Sequence, residues 1–243
     1  MKADNTYTGL APYYDRLMNH VNYRQWAAYI KNILPEHLPN NCKILEIAGG
    51  TGKFAGYFSK YYPEYILSDL SIQMLAIAKS RGSLTTTAAD FSALPFKDEI
   101  FELVICLYDS INYVLTKEGV TKVLKSVYRV LSRGGYFLFD CCLINGSIEH
   151  SSDAYRTEYF RGVTIEQHSY RDESKNIHLN NFCIKFPDGR QEFETHKQKI
   201  YTLAFFMVTL NMIGFEIVHC FEEFSFDDAT DESLRAHFLA RKK

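Results

Sequence analysis

The part of the chain best suited to chemistry is a turn of small residues that follows an apolar run. Residues 44–47 are apolar apart from Glu46, and residues 48–52 read Ala-Gly-Gly-Thr-Gly. Such a turn lets the backbone approach a ligand closely and leaves N–H groups free where the next helix begins. Asp69 ends a second apolar run about twenty residues further on, where a carboxylate can accept hydrogen bonds from two ribose hydroxyls. These features predict a nucleoside-binding α/β domain.

The glycine spacing separates two kinds of nucleoside site. A nicotinamide-binding domain shows G-x-G-x-x-G, with the third glycine three residues after the second. Residues 48–52 do not have that spacing, so a nicotinamide oxidoreductase is disfavoured. A tight turn without any ligand is disfavoured as well, because Asp69 and Asp90 both follow predicted strands.

Strand and helix patterns alternate along the first two thirds of the chain. Residues 7–33 suit two short helices, Ser71 is a predicted helix N-cap, and Gly134-Gly135 are predicted to end a helix and turn into the next strand. Strands are predicted at residues 43–47, 65–68, 85–89, 101–107 and 136–141, and helices at residues 52–60, 71–79 and 119–131. Repeated units of this kind imply a parallel, doubly wound sheet.

Residues 157–202 have a different pattern, with polar residues alternating with aromatic and β-branched ones, which is typical of antiparallel strands. Residues 187–189 form a predicted turn, and a helix at 201–213 and strands at 215–221 and 234–240 follow. The antiparallel block is predicted to be an insertion that covers one end of the sheet. Its histidines, His168, His178 and His196, are candidate general bases but are predicted to be exposed strand residues.

Composition excludes several classes of protein. The 243 residues have a formal net charge of −2, which disfavours nucleic acid as the main partner. The N-terminus lacks the apolar core of a signal peptide, and the longest apolar stretch, residues 203–210, is too short to cross a bilayer. The six cysteines form no CxxC pair and the histidines form no metal-binding pattern, so we expect reduced thiols, no metal and a cytoplasmic protein without a membrane partner.

From Glu46 to Gly52 the chain resembles the class I S-adenosylmethionine-dependent methyltransferases, whose first motif is an acidic residue, a hydrophobic residue and G-x-G-x-G. The resemblance covers residues 7–141 and implies a Rossmann-like, mostly parallel, seven-stranded sheet, with N-terminal helices and the antiparallel insertion acting as a lid. It implies one methyltransferase domain with four parts. They are an N-terminal helical cap (1–40), a cofactor-binding core (41–145), the antiparallel insertion (155–202) and a C-terminal helix and strands (203–243).

The resemblance also implies roles for individual residues. Gly50 and Gly52 would let the backbone approach the methionine half of S-adenosylmethionine, and Asp69 would hold the ribose hydroxyls. Leu70, Asp90 and Phe91 would surround the adenine, and Leu107 and Tyr108 would line the methionine end. The expected cofactor-binding set is Glu46, Ala48, Gly49, Gly50, Gly52, Asp69, Leu70, Met74, Asp90, Phe91, Leu107 and Tyr108.

Two further segments resemble a smaller group of enzymes within this family. Residues 14–17, with Tyr23 and Trp26, are similar to the N-terminal helices of small bacterial methyltransferases related to amino-sugar N,N-dimethyltransferases and glycine N-methyltransferase. Residues 109–113, Asp-Ser-Ile-Asn-Tyr, are similar to a segment of the same enzymes. Tyr14, close to the sulfonium, and Asp109 are therefore the candidate catalytic residues. Asp109 has an alternative role as the cap of the short helix that follows it.

The function that these patterns favour is methyl transfer from S-adenosylmethionine to a nitrogen or oxygen of a small molecule. The alternatives are a methyltransferase acting on RNA or protein, and a non-catalytic S-adenosylmethionine-binding module. Ala48, at the position of the family's first glycine, is the departure that favours the non-catalytic alternative. Alanine costs little there if φ is negative and introduces strain if φ is positive. Our hypothesis is that cofactor binding survives the substitution.

Overall fold

The computed structural model describes residues 6–82, 84–151 and 154–243, and these residues form two β-sheets. The larger sheet has seven strands in the order β10-β11-β5-β4-β1-β2-β3. Its strands are β1 (Ile44–Glu46), β2 (Tyr65–Asp69), β3 (Thr85–Ala88), β4 (Phe101–Cys106), β5 (Leu131–Cys142), β10 (Phe215–Glu222) and β11 (Arg235–Lys242). Only β11 runs against its neighbours, so the predicted mostly parallel seven-stranded sheet is confirmed.

Helices cover both faces of this sheet, as expected for a doubly wound fold. They are α2 (Tyr23–Ile33), α3 (Lys53–Phe58), α4 (Ile72–Ser80), α5 (Lys117–Val130) and α7 (Leu203–Ile213). The chain also forms α1 (Ala11–Leu17), α6 (Ile144–Ser151) and short 3₁₀ helices at Phe91–Ala93 and Ser110–Tyr113. The central strands are apolar on both sides because each side is buried under helices. Ser71 caps α4 as predicted, since its hydroxyl accepts from the N–H of Met74 at 3.2 Å.

The second sheet is the predicted antiparallel insertion. Its four strands are β6 (Ala154–Phe160), β7 (Val163–Asp172), β8 (Ile177–Lys185) and β9 (Gln191–Lys199), paired in chain order. The predicted turn at residues 187–189 joins β8 to β9, where Gly189 donates to the carbonyl of Phe186 at 3.0 Å. Ile165 and Ile184 on the inner face pack in one cluster with Leu10 and Leu17, so the insertion covers the N-terminal helix.

Gly134 and Gly135 do not end a helix, contrary to the prediction. The α5 helix ends at Val130, and β5 begins at the next residue and contains both glycines. A Cβ on Gly135 would lie 2.9 Å from the carbonyl oxygen of Ser132 and 3.1 Å from that of Phe101. These glycines therefore allow β5 to shift register against β4, which a residue with a side chain would block.

Candidate functional site

The small-residue turn lies between β1 and α3 and is held by Asp69 at the end of β2. The N–H of Gly50 donates to Oδ2 of Asp69 at 2.8 Å, and the N–H of Ser71 donates to Oδ1 at 2.7 Å. Ala48, Gly50 and Gly52 have φ values of 54°, 56° and 73°. A Cβ on Gly50 would meet no atom within 4 Å, so the turn offers bare backbone on that side.

Glu46 and Gly49 form the floor beneath this turn. A Cβ on Gly49 would lie 2.7 Å from Cγ of Leu67, so the packing there requires glycine. Glu46 is 3% exposed and accepts from the hydroxyl of Tyr65 at 2.8 Å. Burial raises the pKa of Glu46 to about 8, although the bond from Tyr65 acts to lower it. A buried acid of this kind changes its charge near neutral pH.

Four of the expected cofactor residues lie beyond the turn, near the ends of β2 and β3. Leu70 is 60% exposed and follows Asp69, and Met74 in α4 is fully buried. Asp90 is exposed and accepts from the N–H of Ser92 at 2.8 Å, next to the half-buried Phe91. This edge therefore offers an exposed apolar side chain and a carboxylate on open surface.

Two adjoining cavities lie beside the turn. The smaller one, of about 40 Å³, is lined by residues 48–51 together with Glu46 and Leu107. The larger one, of about 590 Å³, lies between the N-terminal helices, the loop after β4 and the inner face of the four-stranded sheet. We call this larger cavity the chamber. Tyr14 and Tyr108 line both cavities and mark the place where they meet.

The two tyrosines at this junction are held by other aromatic rings. The ring of Tyr14 meets the ring of Tyr7 edge to face, with centroids 5.3 Å apart. Burial raises the pKa of Tyr14, so its hydroxyl keeps its proton. The ring of Tyr108 lies 4.5 Å from that of Trp26. The buried hydroxyl of Tyr108 has no hydrogen-bond partner among the described residues and is free to meet a ligand.

Asp109 lies on the chamber wall and belongs to a cluster of charges, and its side chain does not cap the short helix that follows. Arg235 on β11 donates to the carboxylates of Asp109 and Asp140, and its Nε lies 3.1 Å from Glu223. Burial raises the pKa of Asp109 and Asp140, and the Arg235 guanidinium opposes that effect. No local sequence pattern indicates this cluster, because β11 pairs with β5 across more than ninety residues of chain.

The inner face of the four-stranded sheet is polar where it borders the chamber. Pairing between strands places Asn180 between Ser169 and His196, and His178 beside Gln198. All five side chains line the chamber. The sheet therefore presents a row of hydrogen-bonding groups to the cavity.

The insertion's histidines were predicted to be exposed, but His178 and His196 are 6% and 2% exposed and His168 is half-buried. His178 lies under α6, where it meets Ser147, and His196 lies under the N-terminal segment, where it meets Tyr7. His168 lies on the other face, where its ring stacks on Tyr155 with centroids 4.1 Å apart. Glu194, His196 and Gln198 are two residues apart in β9 and therefore share one face of the strand.

A hydrogen-bonded chain runs from the sheet to the N-terminal segment. The Nε2 atom of His196 lies 3.1 Å from Oε2 of Glu194, and its Nδ1 lies 3.2 Å from the hydroxyl of Tyr113. The hydroxyls of Tyr113 and Tyr7 are 2.6 Å apart. Glu194 also accepts from the backbone N–H groups of Tyr7, Gly9 and Leu10. No local sequence pattern indicates this hydrogen-bonded chain, because its members come from three separate segments.

Asp15 in α1 ties the N-terminal helix to the turn. Its carboxylate accepts from the hydroxyl of Thr51 at 2.6 Å and pairs with Arg81, which also donates to the carbonyl of Thr51 at 2.8 Å. The Nζ of Lys53 donates to the carbonyl of Asp15 at 3.2 Å. We call these four residues the α1 latch. It holds α1 across the smaller cavity.

Neither a metal centre nor a membrane span is found in the described part of the chain. No group of histidine, cysteine and acidic side chains among those residues is arranged to hold a metal ion. None of their helices is both long enough and apolar enough to cross a bilayer. All six cysteines are free thiols, as predicted.

The chain is similar in sequence to known methyltransferases. A family model described as "Methyltransferase domain" matches residues 44–135. The chain is 30% identical over 243 residues to the Bacillus subtilis (strain 168) protein named "Putative methyltransferase YqeM", covering 97% of each sequence.

Solved structures share the fold. An S-adenosylmethionine-dependent methyltransferase from Clostridium acetobutylicum ATCC 824 superposes with a TM-score of 0.81 at 21% identity, covering 97% of this chain and 98% of that one. The sugar N-methyltransferase KedS8 from Streptoalloteichus sp ATCC 53650 superposes with a TM-score of 0.76 at 18% identity, covering 94% and 91%. Both insertion and core are thus included in the similarity.

Proposed function

Since this chain belongs to the S-adenosylmethionine-dependent methyltransferases, we propose that it methylates a nitrogen or oxygen of a polar small molecule held in the chamber. The chamber is the observation that carries this proposal. Its volume of about 590 Å³ lies in the range of small-molecule sites, and it adjoins the turn through Tyr14 and Tyr108. The polar residues Ser169, Asn180 and Gln198 on the sheet's inner face supply several hydrogen-bonding groups for a polar acceptor.

The walls of the chamber also argue against an RNA or protein acceptor. A macromolecular substrate needs an open surface, and for RNA that surface is usually basic. Here the four-stranded sheet covers one side of the cavity, and the carboxylates of Asp109 and Glu223 lie on its wall. The solved sugar N-methyltransferase with the same fold gives further support to a small acceptor.

The residues around the turn fit S-adenosylmethionine, which is the cofactor of this family. Gly50 offers bare backbone for close approach, and each Asp69 oxygen accepts one backbone bond, which leaves a second lone pair for a ribose hydroxyl. The exposed Leu70 supplies an apolar surface for the adenine, with Asp90 and Phe91 at the same edge. We assign the methionine half to the smaller cavity, above Glu46 and beside Leu107.

Bound S-adenosylmethionine supplies a methyl group that is already activated, so the protein's main contribution is to position the acceptor and exclude water. Tyr14 and Tyr108 line the passage between the two cavities and orient the groups that meet there. The side chains of the sheet's inner face bind the acceptor, and α1 and α2 close the chamber on the opposite side.

A turnover screen tests the proposal. Release of S-adenosylhomocysteine is followed against separate pools of amine, hydroxyl and carboxyl metabolites. We expect turnover with an amine or hydroxyl pool, and its loss in Asn180→Trp, which fills the chamber. Asn181→Trp is the matched control, because Asn181 lies on the opposite face of β8 and bonds Tyr170. Turnover with RNA or protein but with none of the pools would overturn the proposal, as would equal activity of both variants.

A further inference from the structure

The chain Glu194–His196–Tyr113–Tyr7 joins a buried carboxylate to two phenols on the chamber wall. Its three links measure 3.1 Å, 3.2 Å and 2.6 Å. His196 is 2% exposed, whereas Tyr7 and Tyr113 are half-buried and border the cavity. The imidazole therefore reaches the chamber mainly through the phenols.

The hydrogen bonds of this chain all donate in one direction, towards Glu194. Burial raises the pKa of Glu194, but the bonds from His196 and from the N–H groups of Leu10 and Gly9 bring the net pKa below its ordinary value. Glu194 is thus an ionised carboxylate that only accepts, so Nε2 of His196 carries the proton. The Nδ1 atom then accepts from Tyr113, and Tyr113 accepts from Tyr7. The free lone pair of the Tyr7 oxygen ends the chain.

We propose that Glu194, His196, Tyr113 and Tyr7 accept the proton that the acceptor's nucleophilic group must lose for methylation. This proposal rests on the proposed transfer to a small molecule. The ring of Tyr7 lies beside the ring of Tyr14, which lines both cavities, so the chain ends close to the place where they meet.

The proton transfer balances as follows. The acceptor's N–H or O–H bond breaks, and its proton passes to Tyr7 as the Tyr7 proton passes to Tyr113 and the Tyr113 proton to Nδ1 of His196. The nitrogen or oxygen keeps its electron pair and uses it to form the bond to the methyl carbon, while the carbon–sulfur pair remains on sulfur. His196 becomes an imidazolium, which Glu194 stabilises as the orienting carboxylate does in other acid–base pairs.

A purely structural role leaves part of this arrangement unexplained. Glu194 already fixes the N-terminal segment through three backbone N–H groups, and that tie needs neither His196 nor the phenols. Burial raises the pKa of Tyr7 and Tyr113, so both phenols remain protonated and can pass a proton on.

The groups that face His196 come from β9, β8, the short helix after β4 and the N-terminal segment. Glu194 faces it from β9, Tyr113 from the short helix after β4, and Tyr7 from the N-terminal segment. From β8 it meets Phe182 and Asn180, which do not titrate. The carboxylates of Asp69 and Asp109 act on Tyr113 from the larger sheet.

The first test needs no acceptor. Long-range nitrogen-15 spectra of the full chain labelled at histidine report which ring nitrogen carries the proton, and His196→Gln assigns the signal. We expect the Nε2–H tautomer, with an Nδ1 resonance that moves in Tyr113→Phe and not in Tyr170→Phe, its matched control on the outer face. An Nδ1–H tautomer, or an Nδ1 resonance indifferent to Tyr113→Phe, would overturn the proposal.

The second test uses an acceptor found in the turnover screen. Tyr113→Phe should lower kcat by about 100-fold near pH 7. The deficit should shrink as the pH rises, because the acceptor then loses its proton to solvent, and KM should change little. A deficit equal at every pH, or none, contradicts the proposal. Failure of every metabolite pool would count against the proposed function alone, because the tautomer measurement stands without turnover.

Discussion

Ala48 combines a side chain with a backbone conformation that favours glycine. Its φ of 54° places it in the left-handed region, which costs a non-glycine residue roughly 1–2 kcal/mol. Replacing Ala48 with glycine removes this cost, but glycine's larger loss of entropy on folding offsets part of the resulting gain in stability. Ala48→Gly should therefore stabilise the protein by about 0.5–1 kcal/mol in urea unfolding.

The matched control is Ala76→Gly, in the exposed middle of α4, which should destabilise by about 0.5–1 kcal/mol. Calorimetry with S-adenosylmethionine on the same Ala48 variant tests whether cofactor binding survives the alanine. Tight binding to Ala48→Gly with none to the wild type would refute our hypothesis that it does.

Glu46 makes stability depend on pH. Because burial raises its pKa from 4.5 to about 8, the folded protein holds a proton that the unfolded chain has lost in this interval. The stability that protonated Glu46 allows is present below pH 4.5 and is lost as the pH rises towards 8. In chemical denaturation, the free energy of unfolding of Glu46→Gln should therefore exceed that of the wild type by about 1 kcal/mol at pH 5 and by roughly 4 kcal/mol at pH 8.

Glu64→Gln is the control for this change, since Glu64 is exposed and directly precedes β2. The difference in free energy of unfolding between Glu64→Gln and the wild type should not grow between the two pH values. A constant difference between Glu46→Gln and the wild type across that range would show that Glu46 does not titrate there.

At the scale of elements, we expect the α1 latch to control access to the smaller cavity. The cavity's volume of about 40 Å³ corresponds to a few water molecules, so the proposed placement of the cofactor's methionine half there requires α1 to move. Asp15→Asn keeps the shape of the latch but removes its charge. We expect the rates of cofactor entry and release both to rise about fivefold, equivalent to about 1 kcal/mol, with a smaller change in affinity.

Stopped-flow fluorescence can follow these rates, because Trp26 is the chain's one tryptophan and contacts Tyr108 beside both cavities. Arg16→Gln is the matched control on the same helix. Arg16 pairs with Glu158 at 3.3 Å and is half exposed, so its loss should leave the rates unchanged. Equal rates in Asp15→Asn and the wild type would mean that α1 does not gate entry.

The sequence predicted those elements whose burial is simple. Strands of the larger sheet are apolar runs covered on both faces, and Gly50 meets Asp69 because β1 and β2 are neighbours. The insertion carries polar and aromatic residues on both faces, so alternation alone did not tell which face is inner. His196 was therefore placed on the wrong side. The contact of Asp15 with Thr51 depends on tertiary packing, which no local pattern encodes.

At the scale of the whole molecule, Arg235 connects three separate parts of the chain. It joins Asp140 of β5, Asp109 of the loop after β4 and Glu223 of the loop after β10. Arg235→Gln leaves these carboxylates without their cation and should destabilise the protein by about 3–5 kcal/mol.

The effect of Arg235→Gln should depend on pH. Burial already raises the pKa of Asp109 and Asp140, and loss of the guanidinium raises both further. The destabilisation is therefore complete above these raised values and fades as the pH falls towards the ordinary aspartate range, which urea unfolding at pH 8 and pH 5 can measure. Arg241→Gln on the exposed end of β11 is the control. Equal destabilisation by Arg235→Gln and Arg241→Gln would show that the charge cluster contributes no more to stability than an exposed arginine does.

The position of β11 has a consequence for synthesis of the protein. Residues 235–242 follow β10 in sequence, yet they lie inside the larger sheet between β5 and β10. A nascent chain on the ribosome can pair β1 to β5 early, but the edge of β5 stays open until these residues emerge. During that interval the exposed edge invites pairing with other chains. Arg235 and its contacts on the chamber wall can therefore form only after residues 235–242 have left the ribosome.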